Sequence, residues 1–296
     1  MAGGRICNGP YLLAPGARQM TVAWEAEVPA DFYVVCSAPD GTLLQKDACA
    51  AREPVCPEHP DGAIIYTAVL TGLQPGTAYA YEIRTGEECC AQAAFHTLRE
   101  DPQELHLMTI SDSHLFHASE FFQRAAEREQ PEFLLHAGDI SFGTGYQHDQ
   151  YQDNWFAKIP ELLARMPVFY AHGNHDDGPF FDAFIGVPQM KGLHGMESGE
   201  AYSFDYGMVH FAVVDSNPWG LLEMNGINAG IAADAPLRAR IESILAWLEA
   251  DLVSENAKRA AWRILVTHHP YTDAFNNRYI VPIAERCGVN LVLSGH

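Results

Sequence analysis

The stretch Leu105-His-Leu-Met-Thr-Ile110 followed by Ser111-Asp112-Ser113-His114 decides the fold: an apolar strand pattern runs directly into an Asp-x-His motif. The same arrangement recurs down the chain. Phe133–Ala137 leads into Gly138-Asp139, Val168–Ala171 into Gly173-Asn174-His175-Asp176, Arg263–Val266 into Thr267-His268-His269-Pro270, and Asn290–Leu293 into Gly295-His296. Between these runs lie helical stretches at about 118–129, 150–165 and 237–252. The last places Leu237, Ile241, Ile244, Leu245, Leu248 and Leu252 on one face. Alternating strands and helices imply an α/β layered domain. Open α/β sheets put their ligand sites at the carboxyl ends of strands, so Asp112, His114, Asp139, Asn174, His268 and His296 are expected to converge on one rim. Carboxylate and amide oxygens combined with imidazole nitrogens suit Zn, Mn or Fe.

A Gly-Asp pair, or a histidine after a strand, means little alone. The set is specific: Asp-x-His, 23 residues, Gly-Asp, 33 residues, Gly-Asn-His-Asp, then Thr-His-His-Pro, in that order. These blocks resemble those of calcineurin-like metallophosphoesterases, whose fifth block reads Gly-His-x-His. The second histidine of that block falls two positions past His296, so the resemblance implies a chain truncated within its last block. It also implies a four-layer α/β/β/α sandwich and a pair of metal ions bridged by Asp139, at a separation of about 3.5–4 Å. Metal 1 is expected on Asp112, His114 and Asp139, and metal 2 on Asp139, Asn174, His268 and His296. The ions activate a water for attack on phosphorus. His175 is expected off the metals, donating to phosphate or protonating the leaving group, oriented by Asp176. Tyr202–Asn217 resembles the family's central hairpin, turning at Tyr206-Gly207.

Residues 1–98 carry a β pattern: Met20–Glu25, Phe32–Cys36, Ile64–Leu70, Tyr79–Ile83 and Ala93–Thr97, separated by Pro, Gly and Asp turns. Leu73-Gln-Pro75-Gly76-Thr-Ala-Tyr79 resembles the tyrosine corner of fibronectin type III sandwiches, with Trp24 as a core aromatic. Arg99–Gln103 reads as a linker. The chain is therefore similar to purple acid phosphatases, with an all-β fibronectin type III-like domain at 1–98 and a metallophosphoesterase domain at 104–296. One residue departs from that pattern. Purple members have a metal-binding tyrosine three positions after the Gly-Asp aspartate, and Phe142 stands there. A colourless protein is expected, with His114 supplying a nitrogen and no requirement for ferric iron.

The composition fits this reading. Eighteen Lys plus Arg against 38 Asp plus Glu give a net charge of -20, which argues against nucleic-acid and anionic-membrane partners. A phosphate substrate then needs bound cations to reverse the local field. No secretory signal is visible at the N-terminus, and the seven cysteines show no metal spacing, which favours a reducing cytoplasm. In an oxidising compartment the candidate pairs are Cys49–Cys56 and Cys7 with Cys89 or Cys90. Arg278 reads either as a phosphate clamp or as a surface arginine, His269 as a rim histidine near substrate, and His172 as a supporting one. The segment from Asn217 through Trp219 to Pro236 is a candidate cap. The expected partner is a small-molecule phosphate ester, a monoester ahead of a diester. A different class of reading is a catalytically impaired truncated chain acting as a binding module; the oligomeric state is not assigned.

Overall fold

A computed structural model describes residues 5–52, 64–185, 194–196, 199–218 and 235–296. The first eight strands are β1 (Ile6–Leu13), β2 (Gln19–Ala26), β3 (Phe32–Ser37), β4 (Leu43–Asp47), β5 (Cys49–Arg52), β6 (Ile64–Thr71), β7 (Ala78–Thr85) and β8 (Glu88–His96). They pair as β5-β6-β2-β1 and β4-β3-β7-β8, the two-sheet order of an immunoglobulin-type or fibronectin-type sandwich. The strands alternate as such a sandwich requires: Phe32, Val34 and Cys36 of β3 point inward and are buried. Trp24 is fully buried, stacked on Tyr66 at 5.7 Å and edge-on to Phe32 at 5.6 Å. The Tyr79 hydroxyl accepts from the Gln74 backbone N–H at 2.9 Å, which closes the expected tyrosine corner. Strand β1 escapes a periodicity reading because Gly9-Pro10 breaks its pattern; the ladder with β2 is irregular there. Cys7 lies on β1 and Cys89 and Cys90 on β8, in opposite sheets, and all three are free thiols, which removes that pairing. Residue 56 and the side chain of Cys49 lie outside the described residues.

Strands β9 (Leu107–Ile110), β10 (Phe133–His136) and β11 (Val168–Tyr170) are parallel and continue the first sheet. Leu13 of β1 registers with Val168 of β11, giving one seven-stranded sheet, β5-β6-β2-β1-β11-β10-β9. A second sheet holds β12 (His194–Gly195), β13 (Ala201–Tyr206), β14 (Val209–Val214), β15 (Trp262–Thr267) and β16 (Leu291–Leu293). The β13–β14 hairpin turns at Gly207, with φ 56°, where a Cβ would come 2.6 Å from the Pro102 carbonyl. The sheets meet through aromatic rings: Phe169 stacks on Phe204 at 3.7 Å, and Phe133 lies edge-on to Phe211 at 6.0 Å.

Helices complete the four layers. Against the first sheet lie α1 (Ser119–Glu129), α2 (His148–Tyr151), α3 (Pro160–Leu163) and α4 (Pro179–Ile185). Against the second lie α5 (Ala235–Leu252), α6 (Glu255–Arg259) and α7 (Val281–Arg286). In α5 the apolar stripe buries Ile241, Ile244, Leu248 and Leu252 against Ala212, Val214 and Leu265; Leu237 and Leu245 are partly buried. The single helix expected over 150–165 is instead α2, a π turn at Gln152–Phe156, and α3. Pro160 lacks the N–H that a continuous helix needs, so the helix restarts there.

The sandwich and the α/β region share a core that includes Tyr11, Leu13, Ala23, Ile65 and Leu98 from the first and Phe133, Phe156 and Phe184 from the second. Tyr11 Oη donates to the Phe184 carbonyl at 2.8 Å, and Tyr81 Oη to the Ala164 carbonyl at 2.7 Å. Buried Glu25 of β2 receives His148 Nε2 of α2 at 2.7 Å. The polar stretch after β8 is anchored as well, because Arg99 grips Glu132 with two nitrogens at 2.6 and 2.9 Å. Among the described residues no helix is long and apolar enough to cross a membrane.

Candidate metal centre

Every polar block sits past the carboxyl end of its strand: Asp112 and His114 after β9, Asp139 after β10, Asn174 after β11, His268 after β15 and His296 after β16. The loops interlock through backbone bonds, Asp112 N–H to Gly138 O at 3.0 Å and Gly295 N–H to His268 O at 2.9 Å. Their conformations are tight. Asp112, His114 and Asp139 have φ of 51°, 44° and 59°, a left-handed region that non-glycine residues enter mainly at constrained functional sites. Glycines let the loops close. A Cβ on Gly173 would lie 2.2 Å from Asp139 N and Oδ1, and one on Gly295 would overlap Ser111 Oγ.

The side chains form two overlapping groups. Ligand atoms of Asp112, His114 and Asp139 lie within 4.8 Å of one another, and so do those of Asp139, His268 and His296. Asp139 belongs to both. Its Oδ2 is 3.1 Å from His268 Nε2 and 3.8 Å from His114 Nε2, and its Oδ1 accepts the His175 N–H at 2.8 Å. Burial pushes the Asp139 carboxyl up, but His268 and the His175 N–H outweigh it and hold it below the usual range. Around His268 Nε2 also stand Asn174 Oδ1 at 3.1 Å and His296 Nδ1 at 3.2 Å. His296 N–H donates to Asp112 Oδ2 at 2.8 Å, which draws the fifth block onto the first.

Backbone carbonyls settle the tautomers of two histidines. His114 Nδ1 is 2.9 Å from Ser141 O and His268 Nδ1 is 2.8 Å from Ala137 O. A carbonyl only accepts, so Nδ1 carries a proton in each ring and Nε2 is the atom turned toward Asp139. This is the arrangement by which proteins orient metal-binding imidazoles. Burial opposes a charge on His268, but the adjoining Asp139 carboxylate raises it, so a proton on Nε2 bridges the two groups until a metal ion takes its place. The donor set fits a pair of ions of the Zn, Mn or Fe class, with Asp139 common to both.

The other expected residues are held by partners that the sequence did not show. Asp176 does not orient His175. It is fully buried and accepts from the backbone N–H groups of Asp139 (2.8 Å), Ile140 (3.1 Å), Gly173 (3.2 Å) and Ser141 (3.4 Å) and from Tyr151 Oη (3.3 Å). It is the carboxylate around which the Gly138–Ser141 loop is folded. His175 takes its orientation from Gly143, whose carbonyl accepts from Nδ1 at 2.8 Å, and its ring lies 5.0 Å from that of His114. His269 is buried, 4.4 Å from the His296 ring, and its Nδ1 is hydrogen-bonded to Ser216 Oγ at 2.8 Å. Burial and the neighbouring His268 and His296 push it down to about 4. Arg278 is exposed on a π turn, with its guanidinium 5.3 Å from the centre of the Tyr279 ring. His172 stands beside Asp215 at 3.3 Å; burial opposes its charge, but Asp215 lifts it to about 9. Trp219 and 220–234 of the expected cap lie outside the described residues.

Sequence reading missed His136, the last residue of β10. It is buried, accepts the Gly138 N–H on Nδ1 at 3.2 Å, and so turns a protonated Nε2 to Ser113 Oγ at 3.0 Å. Burial above all, then His268, hold it down at about 3, so it stays neutral and ties the first block to the second. Its one sequence signal was a histidine ending an otherwise apolar strand.

The chain is similar to known proteins in both sequence and fold. Residues 105–296 match the sequence model of the calcineurin-like phosphoesterase family. Mouse acid phosphatase type 7 is 25% identical over 88% of this chain and 57% of its own length. Purple acid phosphatase 23 of Arabidopsis thaliana is 23% identical over 79% of this chain and 56% of its own. Among solved structures, a purple acid phosphatase from yellow lupin seeds superposes with a TM-score of 0.69 at 18% identity, over 98% of this chain and 58% of the lupin one. The chain spans little more than half the length of the curated relatives it matches.

Proposed function

The chain belongs to the calcineurin-like phosphoesterase family, and from that premise we propose that it hydrolyses phosphate esters at the Asp139 centre, with monoesters as its substrates. The observation that carries the proposal is Asp139 Oδ2, set between two histidine Nε2 atoms whose Nδ1 protons are committed to backbone carbonyls. Asp112, His114 and Asp139 would hold one ion, and Asp139, Asn174, His268 and His296 the other. When bound, such ions supply Lewis acidity that lowers the pKa of water toward neutrality and neutralises phosphoryl charge. Relatives named acid phosphatases support the monoester reading.

The protein's own groups account for the rest of the chemistry. Asp139 Oδ1 is fixed by the His175 N–H, so the carboxylate cannot rotate away from either cluster. With Nδ1 donating to Gly143 O, His175 turns its second nitrogen to the substrate. Protonated there, the ring holds a phosphoryl oxygen or delivers a proton to the departing alkoxide. The rigid Asp176 nest keeps the Gly138–Ser141 backbone in register, so little reorganisation accompanies reaction.

The test is elemental analysis of bound metal alongside turnover of p-nitrophenyl phosphate and bis-p-nitrophenyl phosphate, on the wild type and Asp139→Asn. Two equivalents of metal, monoester turnover, and loss of both in the variant are expected. Diester turnover alone would overturn the monoester reading. Absence of metal and of turnover on both esters would overturn the phosphoesterase reading.

A further inference from the structure

Phe142 stands three residues past Asp139 and is 54% exposed, unusual company for a metal centre. Its ring neighbours are His114, edge-on at 5.9 Å, and His175, nearly parallel at 6.5 Å with a 21° interplanar angle. An exposed apolar ring therefore lies beside one expected metal ligand and beside the His175 imidazole. The pattern extends along the ligand-bearing loops. Leu115 follows His114 and is 40% exposed, Tyr146 follows Gly145 at 55%, and Tyr271 follows Pro270 at 56%. Isolated exposed apolar side chains are ordinary on any surface, so the ring contacts of Phe142 with His114 and His175 are what set it apart from the other three.

Resting on the phosphoesterase reading above, we propose that the exposed Phe142 face is the leaving-group subsite and that it selects phosphate esters of aromatic alcohols. The position of His175 links Phe142 to the leaving group. With His175 in its proton-delivering role, the departing oxygen lies within hydrogen-bond reach of the nitrogen not held by Gly143, and the carbon attached to that oxygen comes to the Phe142 side. An aromatic group there gains stacking as well as apolar burial, whereas a sugar or glycerol group would have its hydroxyls desolvated against a ring that offers no hydrogen bond.

Binding separates this idea from the reading beneath it. Phenyl-, cyclohexyl- and methylphosphonate, none of which can be hydrolysed at an ester bond, are titrated calorimetrically into the metal-loaded wild type and Phe142→Ala. In parallel, kcat/KM is measured for phenyl phosphate and glycerol phosphate. Phenylphosphonate is expected to bind about tenfold more tightly than the other two in the wild type, with that margin lost in the variant. The ratio of aryl to alkyl kcat/KM should fall about tenfold on substitution; taking this ratio between proteins cancels the intrinsic reactivity of each ester. Equal binding of the phenyl and cyclohexyl compounds would overturn aromatic selection. Equal loss on both esters would show that Phe142 acts on the centre itself and would overturn the subsite. Failure of every phosphonate to bind, with no ester turned over, would instead overturn the phosphoesterase reading. Phe142 is exposed, so the variant is expected to melt with the wild type.

Discussion

Asp176→Asn replaces one of two acceptor oxygens by a donor at a point where five donors meet: the N–H groups of Asp139, Ile140, Ser141 and Gly173, and Tyr151 Oη. If the amide oxygen keeps Asp139 and Gly173, the new NH2 faces Ile140 and Ser141, and both N–H groups lose their acceptor in a site with no solvent access. Hydrogen bonds to a charged group contribute about 1.5–3 kcal/mol each, and the Ser141 contact at 3.4 Å is the weaker one. The expected destabilisation is thus about 3–5 kcal/mol, a large share of the ~5–15 kcal/mol that holds a domain folded. Because the donors belong to the Gly138–Ser141 loop, Asp139 should move with them and bound metal should drop. The assay is urea unfolding followed by tryptophan fluorescence, paired with elemental analysis. A variant that unfolds within about 0.5 kcal/mol of the wild type, keeps its metal and loses only turnover would refute the reasoning. That result would return Asp176 to the role of orienting His175.

Further expectations follow from other contacts. Gly173→Ala places a Cβ 2.2 Å from Asp139 N and Oδ1, so metal stoichiometry should fall while far-ultraviolet circular dichroism stays unchanged. His210 is buried, with Nδ1 2.7 Å from Asp205 Oδ1 and Nε2 2.9 Å from Asp251 Oδ2; burial opposes its charge, but the two carboxylates raise it to about 9. A raised folded value stabilises fully below the unfolded pKa near 6.5 and is lost as pH climbs to about 9. The advantage of wild type over His210→Gln in unfolding free energy should therefore shrink by about 2–3 kcal/mol between pH 6 and pH 10, allowing for screening at the half-exposed Asp205. Glu25→Gln leaves His148 without its buried carboxylate partner, and breaking such a pair costs about 3–5 kcal/mol. A double-mutant cycle with His148→Gln should return a coupling well above 1 kcal/mol, measured by thermal unfolding.

The architecture was legible wherever one residue pattern has one physical solution. Apolar runs ending in Asp, Asn or His give strand ends that carry ligands, and the α5 stripe from Ile241 to Leu252 gives a helix over a sheet. Leu73–Tyr79 gave away the sandwich because the corner bond lies within a few residues. What escaped depends on direction, which spacing does not encode. Asp176 follows His175 immediately, yet its carboxylate turns inward to the loop amides and His175 turns to Gly143. His136 looked like the end of a core strand because its partners, Gly138 N–H and Ser113, are bonds and not a motif. The register of Leu13 with Val168 had no local signal either, since it joins segments far apart in the chain.

That register has a consequence for biosynthesis. Val168 is made 155 residues after Leu13, the difference between the two positions. At roughly 5–20 residues per second, the ribosome needs about 8–30 s to supply β11 after β1 has emerged. Sandwich folding is fast on that scale, so β1 waits as an exposed strand edge, the kind of edge other chains readily pair with. The nascent protein is most vulnerable to aggregation in that interval, and slowing translation between the sandwich and β11 should lower soluble yield even when the finished fold is unchanged.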